Sequence, residues 1–250
     1  MNPERRTVLL LHGTAPGTTA EANFGHLLGP LGNHHHVLAP DLLGFGNSPK
    51  AEDVQYGPAL WEQQAFDLLD EHQLDDVVLV GNSMGARVAL TMATHQPGRF
   101  SGLVLMSARL HPSTSRAQDL IRAYRPDRAA MAELLTECFA TDPAAVTPEM
   151  VEARYLASAA PGAHEAIQNL FATLSSVGSG PSALAIQQLD HPALVVSARG
   201  DRVVPYTDGI ELSGLLPNAD LHVLGGTGHW FPTERARTFT PLLLDFLGRL

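Results

Sequence analysis

The chain has 250 residues, of which 44% are hydrophobic and 17% charged, enough apolar material for a substantial core, so a disordered tail or charged linker is excluded. Its 16 Lys and Arg stand against 26 Asp and Glu, a formal net charge of −10 with no basic block. Nothing is there to neutralise phosphates, and nucleic acid is excluded as an expected partner.

In chain order, Met1 to Arg6 is polar and runs into the short apolar stretch Thr7–Leu11. That is neither a signal peptide nor a membrane span, so a soluble protein without a membrane partner is expected. Thr7–Leu11 is aliphatic with one β-branched end and stops at His12-Gly13, which predicts a buried strand. Val37–Ala39, Val77–Val80, Leu103–Met106, Leu194–Ser197 and Leu221–Leu224 share that design. Near-continuous apolar strands suit a parallel sheet covered on both faces. Between them, helical spacing predicts helices over Glu21–Leu31, Leu60–Asp70, Met84–His95, Asp208–Leu216 and Thr233–Leu250, an α/β alternation. Met84–His95 is apolar on nearly every face and belongs in the interior. His34-His35-His36 precedes the second strand, where alternate residues face opposite ways, so the three do not converge on a metal.

Between Met106 and Pro192 the alternation breaks. Ile167, Leu170, Phe171 and Leu174 recur at helical spacing and no strand pattern is present. The segment 109–188 therefore reads as a helical lid inserted into a core made of 1–108 and 189–250. Arg109 to Ser115 bounds it on one side, and the Ser/Gly-rich stretch Ser175 to Ser182 forms a flexible return on the other. Its Cys138 is the only cysteine, which precludes an internal disulfide and fits a cytoplasmic address.

Gly81-Asn82-Ser83-Met84-Gly85 has the GxSxG pattern between a strand and a buried helix, the context that makes a sharp turn present its central Ser as a nucleophile. A serine hydroxyl needs a base, and the base an orienting carboxylate. Asp201 follows the strand Leu194–Ser197 and His229 follows Leu221–Leu224. The order Ser, Asp, His at successive strand ends predicts Ser83, His229 and Asp201 as a catalytic triad. Oxyanion donors are expected from the backbone N–H of Met84, at a helix N-terminus, and of Thr14, in the loop after His12-Gly13. His12 itself is expected to support that loop rather than react.

These residues resemble the α/β-hydrolase superfamily and, more narrowly, the meta-cleavage product hydrolases, which break a C–C bond in ring-opened aromatic catabolites. HGTAPGTTAEANF (His12 to Phe24) is similar to the family's HGxGPGxxxxxNF loop. APDLLGFGNS (Ala39 to Ser48), GNSMG and LHVLGGTGHW (Leu221 to Trp230) match its following motifs, and VTPEMVEARYLASAAPGAHEA (Val146 to Ala166) matches its substrate-binding lid segment. The resemblance implies an α/β-hydrolase fold, a mostly parallel sheet of about six strands with helices on both faces and an inserted helical lid. It implies Asn23, Asn82, Arg154 and Trp230 as substrate contacts, Arg154 taking the substrate carboxylate. It implies no metal, no organic cofactor, a small-molecule substrate of 2-hydroxy-6-oxo-dienoate type, and a homodimer or larger homo-oligomer.

Departures are present. Only six residues precede the first strand, where the family has a strand pair. Ala15 replaces a Gly in the oxyanion loop, Ala86 a Gly after the elbow, and Glu21 an aromatic residue, which would put a negative charge near the pocket. Two other readings use the same residues: a carboxylesterase, lactonase or thioesterase acting on a small acyl substrate, and a ligand-binding protein with negligible turnover.

Overall fold

A computed structural model describes residues 5–111, 114–174 and 180–250. The elements in order are β1 (Thr7–Leu11), α1 (Ala20–Gly32), β2 (His36–Leu38), α2 (Pro58–Glu71), β3 (Val77–Asn82), α3 (Met84–His95) and β4 (Phe100–Met106). Then come α4 (Arg116–Ala123), α5 (Arg128–Leu134), α6 (Pro148–Ala159), α7 (Ala163–Leu174) and α8 (Ala183–Gln187). The chain closes with β5 (Ala193–Ala198), α9 (Tyr206–Leu215), β6 (Ala219–Leu224), α10 (Phe231–Glu234) and α11 (Ala236–Arg249). All six strands pair in parallel in the order β2-β1-β3-β4-β5-β6.

The sheet is two-sided because side chains alternate along a strand. Leu9, Leu11, Leu79, Leu103, Leu105 and Val195 pack on one face with Trp61 and Phe66 of α2 and the apolar length of α3. Val8, Leu10, Val78, Val80, Val104 and Val196 pack on the other with Phe24 and Leu27 of α1 and Phe239 and Leu243 of α11. Burying each such side chain contributes roughly 1.5–3 kcal/mol. The central strands β3 and β5 are buried along their whole length, whereas the edge strand β6 alternates between half-buried and exposed positions at its start.

The triple histidine follows the same alternation: His35 is buried while His34 and His36 are exposed. Between β4 and β5 the described residues form helices and turns only, and the five residues 175–179 of the expected return lie outside the described part. The one predicted helix that differs is Thr233–Leu250, which the structure divides at Arg235. That residue leaves helical geometry at φ −117, ψ 32, and its guanidinium donates to the Gly225 carbonyl at 3.1 Å. The break lets Phe231 and Phe239 meet edge to face at 5.5 Å, both fully buried.

Candidate active site

β3 delivers Ser83 to the carboxyl edge of the sheet, where the chain reverses into α3. Ser83 adopts φ 55, ψ −114, a conformation a non-glycine residue holds only when its surroundings enforce it, at a cost of about 1–3 kcal/mol. What enforces it is close packing. A side chain at Gly81 would collide with the Gly85 and Ala86 backbone, and one at Gly85 with the Leu11 carbonyl. The Ser83 amide is meanwhile anchored to the Met106 carbonyl at 2.8 Å.

Asp201 and His229 come from the loops after β5 and β6 and meet through a 2.8 Å hydrogen bond, His229 Nδ1–H donating to Asp201 Oδ2. The same oxygen accepts the Ser107 hydroxyl at 2.8 Å. Asp201 Oδ1 accepts the Val203 and Val204 amides, each at 2.8 Å. Burial opposes ionisation of Asp201, but the His229 charge and hydrogen bond, with the Val204 amide and Ser107, outweigh it and hold the carboxyl below its ordinary value. The carboxylate thus fixes the ring tautomer that leaves Nε2 as the acceptor. Among the described residues no hydrogen bond joins Ser83 to His229. In unliganded sites that contact is commonly long and tightens when substrate binds.

The loop after β1 lies against the elbow: a Cβ at Gly13 would sit 3.3 Å from Ser83 Cβ and 3.1 Å from Asn82 Oδ1. Asn23 ties the two together, accepting the Gly13 amide at 3.3 Å and donating to Asn82 Oδ1 at 3.4 Å. Neither the Thr14 nor the Met84 amide donates a hydrogen bond among the described residues, so both sequence-predicted donors retain their N–H. His12 is fully buried below them. Its Nδ1–H donates to the Gly13 carbonyl at 2.7 Å and Nε2 accepts the Leu42 amide at 2.9 Å. Burial lowers its pKa to about 4, and the neutral ring acts as a bracket for the loop. Glu21 is exposed on the first turn of α1, its carboxylate folded back toward Gly25.

Arg154, on α6, is 5% exposed. Its carbonyl lies against Gly17, where any side chain would collide, which places α6 directly on the loop that carries Thr14. The guanidinium packs 5.8 Å from the Phe139 ring and 5.6 Å from the Trp230 ring. Those rings stack at 5.7 Å, and Phe139 also lies 5.6 Å from His229. Among the described residues no carboxylate pairs with Arg154, and its Nε has no hydrogen-bond partner. Burial lowers its pKa to about 10, so it remains charged at neutral pH.

Of the residues predicted from sequence, the structure pairs Asp201 with His229, sets Asn23 and Asn82 by the Ser83 turn, and gathers Arg154, Trp230 and His229 around Phe139. Two neighbours carried no sequence signal. Ser107 is a lone serine after a strand, at φ 46, and Phe139 ends a wide π-type turn over Leu135–Phe139, a feature that often marks functional sites.

Against known proteins, a profile of the alpha/beta hydrolase family matches residues 8–241. The chain belongs to the alpha/beta hydrolase family and is a hydrolase. Among its relatives is the 2-hydroxymuconate semialdehyde hydrolase of Pseudomonas sp. strain CF600, 37% identical over 96% of this chain and 86% of that protein. Another is the 2-hydroxy-6-oxo-2,4-heptadienoate hydrolase of Pseudomonas putida, 35% identical over 96% of this chain and 88% of that protein. A solved meta-cleavage product hydrolase from Pseudomonas fluorescens IP01 superposes with a TM-score of 0.93, at 30% identity over 98% of this chain and 92% of that one.

Proposed function

We propose that the protein is a meta-cleavage product hydrolase that splits a C–C bond in a 2-hydroxy-6-oxo-dienoate-type substrate, with Ser83, His229 and Asp201 as its triad. The observation that carries the substrate class is Arg154. A buried, charged guanidinium without an anion is costly to keep, and a substrate carboxylate is the group that relieves that cost. The stacked Phe139 and Trp230 rings, both on one side, leave the guanidinium edge for a planar, bidentate partner.

In this reading residues 109–188 form a cap over a core of 1–108 and 189–250, and substrate binds between them. Its carboxylate lies at Arg154 and its ketone oxygen toward the Thr14 and Met84 amides, with Asn23, Asn82 and Trp230 as further contacts. His229, oriented by Asp201, takes the dienol proton and returns a proton to the carbon next to the ketone. Ser83, or a water activated by His229, then adds to the ketone carbon while the two amides hold the oxyanion. The C–C bond breaks, its electron pair passes into the conjugated enol of one product, and the ketone carbon leaves as a carboxylic acid after water has been added.

A cytoplasmic address and a homodimer or larger assembly belong to the same proposal; light scattering of the purified protein tests the assembly. Among the described residues no helix is long and apolar enough to cross a membrane. Assaying the protein on a chromogenic dienoate beside short p-nitrophenyl esters tests the activity: dienoate turnover faster by at least about tenfold in kcat/KM supports it. Ester turnover without dienoate cleavage sinks it, and stoichiometric binding without product from either sinks enzymatic action altogether.

A further inference from the structure

We infer that Glu234 is a positioning residue that fastens the His229 loop to the cap, so that the base is set only when the cap segment following Phe139 is seated on it. The inference rests on His229 being the base. Glu234 ends α10, and its two carboxylate oxygens face opposite ways across the junction. Oε1 accepts the Thr141 amide at 2.6 Å and the Asp142 amide at 3.3 Å, both from the cap. Oε2 accepts the Thr227 hydroxyl at 2.8 Å and the Gly228 amide at 3.4 Å, both from the loop that carries His229.

Four donors converge on one side chain, and a carboxylate is the only protein group that offers two oxygens and no hydrogen to meet them. The two arms end next to the elements that touch the chemistry. Gly228 is bonded directly to His229 in the chain, and the Trp230 amide donates to the Phe139 carbonyl at 3.3 Å. Asp201 fixes the ring through Nδ1, but it cannot fix the height of the loop relative to the cap. Glu234 supplies that second constraint, beside the Trp230–Phe139 backbone bond, without contacting substrate.

Breaking it frees the base loop to shift, and a misplacement of about 1 Å at a reacting group costs up to about 100-fold in rate. Glu234→Ala removes both arms. Glu234→Gln keeps one oxygen for the cap amides, and its NH2 can donate to the Thr227 oxygen once that hydroxyl turns. Thr227→Val removes the shorter of the two base-side bonds and leaves the Gly228 amide and the cap-side arm in place.

The experiment measures these variants, with His229→Ala as reference, on whichever of the dienoate and p-nitrophenyl ester the protein turns over. It records kcat, KM, Tm and the low-field proton resonance of His229 Nδ1–H. Glu234→Ala should lose about 10- to 100-fold in kcat with KM within about threefold, and should broaden the low-field proton. Glu234→Gln, whose NH2 cannot accept the Gly228 amide, should recover part of both, and Thr227→Val should lie between Glu234→Ala and wild type. If Glu234→Ala or, should that variant not fold, Thr227→Val keeps wild-type kcat and a sharp resonance while only Tm drops, Glu234 is a structural bolt and the inference is overturned. Activity surviving in His229→Ala removes the base assignment and this inference with it. An inactive His229→Ala beside an unimpaired Thr227→Val removes this inference alone.

Discussion

The loops around Ser83, the floor of the site, and helix α6 with Arg154, proposed as its roof, are built on opposite principles. On the floor, the polar groups that fix the Ser83 environment are mostly satisfied by the protein: Asp201 accepts four hydrogen bonds and both nitrogens of His12 are occupied. On the roof, Arg154 is just as buried and yet no protein anion meets it among the described residues. Satisfied groups make rigid geometry, which a nucleophile and base need before substrate arrives. An unsatisfied cation makes affinity, which is useful only when the missing partner is the substrate.

If the floor is a reactive constellation, His229→Ala should give the largest effect, a loss of about 10⁴-fold in kcat. Steady-state assay of that variant checks it, and near-normal turnover would break the contrast at once. The next effect concerns stability of the floor. His12 has its pKa lowered from 6.5 to about 4 in the folded protein, so the neutral ring favours folding. Its contribution is complete above pH 6.5 and is lost as pH falls toward about 4, amounting to about 3 kcal/mol. The Asp201 carboxyl, held below 3.8, gives a stability contribution that is lost only at still lower pH. Urea unfolding between pH 7 and pH 4.5, with an NMR titration of the His12 ring, checks the order. A ring that titrates near 6.5 contradicts it.

The roof predicts the reverse sign. Arg154→Met should make the unliganded protein more stable by about 1–3 kcal/mol, since a buried charge without a partner is replaced by apolar packing. Thermal and urea unfolding check this, and destabilisation by the same amount would mean that the guanidinium is already satisfied. The smallest effect expected is that of Ser107→Ala, which removes one of the four hydrogen bonds to Asp201 and should lower kcat about tenfold with KM nearly unchanged. Stopped-flow separation of binding from turnover checks it.

The same contrast explains what the sequence made legible. The four inner strands could be read because buried parallel strands are apolar runs, the edge strands β2 and β6 from shorter apolar runs though neither is fully buried, and α3 because its apolar residues cover the whole helix. The Ser83 turn was legible because glycines are needed on both sides of it for space. Arg154 emerged only from a resemblance, since an arginine on a helix looks the same in sequence whether it is solvated or buried. Ser107, Phe139 and Glu234 gave no signal, because each acts through partners 94, 91 and 93 positions away: Asp201, Trp230 and Thr141. The division of the last helix at Arg235 was equally silent, being set by a tertiary contact to the Gly225 carbonyl rather than by a local breaker at the bend.

The most direct test of a substrate carboxylate held by Arg154 is a thermodynamic cycle: kcat/KM of wild type and Arg154→Ala on a dienoate and on its methyl ester, in which that carboxylate is masked. Wild type should lose about 100-fold on masking and the variant almost nothing further, because the partner is already gone. An equal loss in both proteins would show that the carboxylate is recognised elsewhere and would contradict the account.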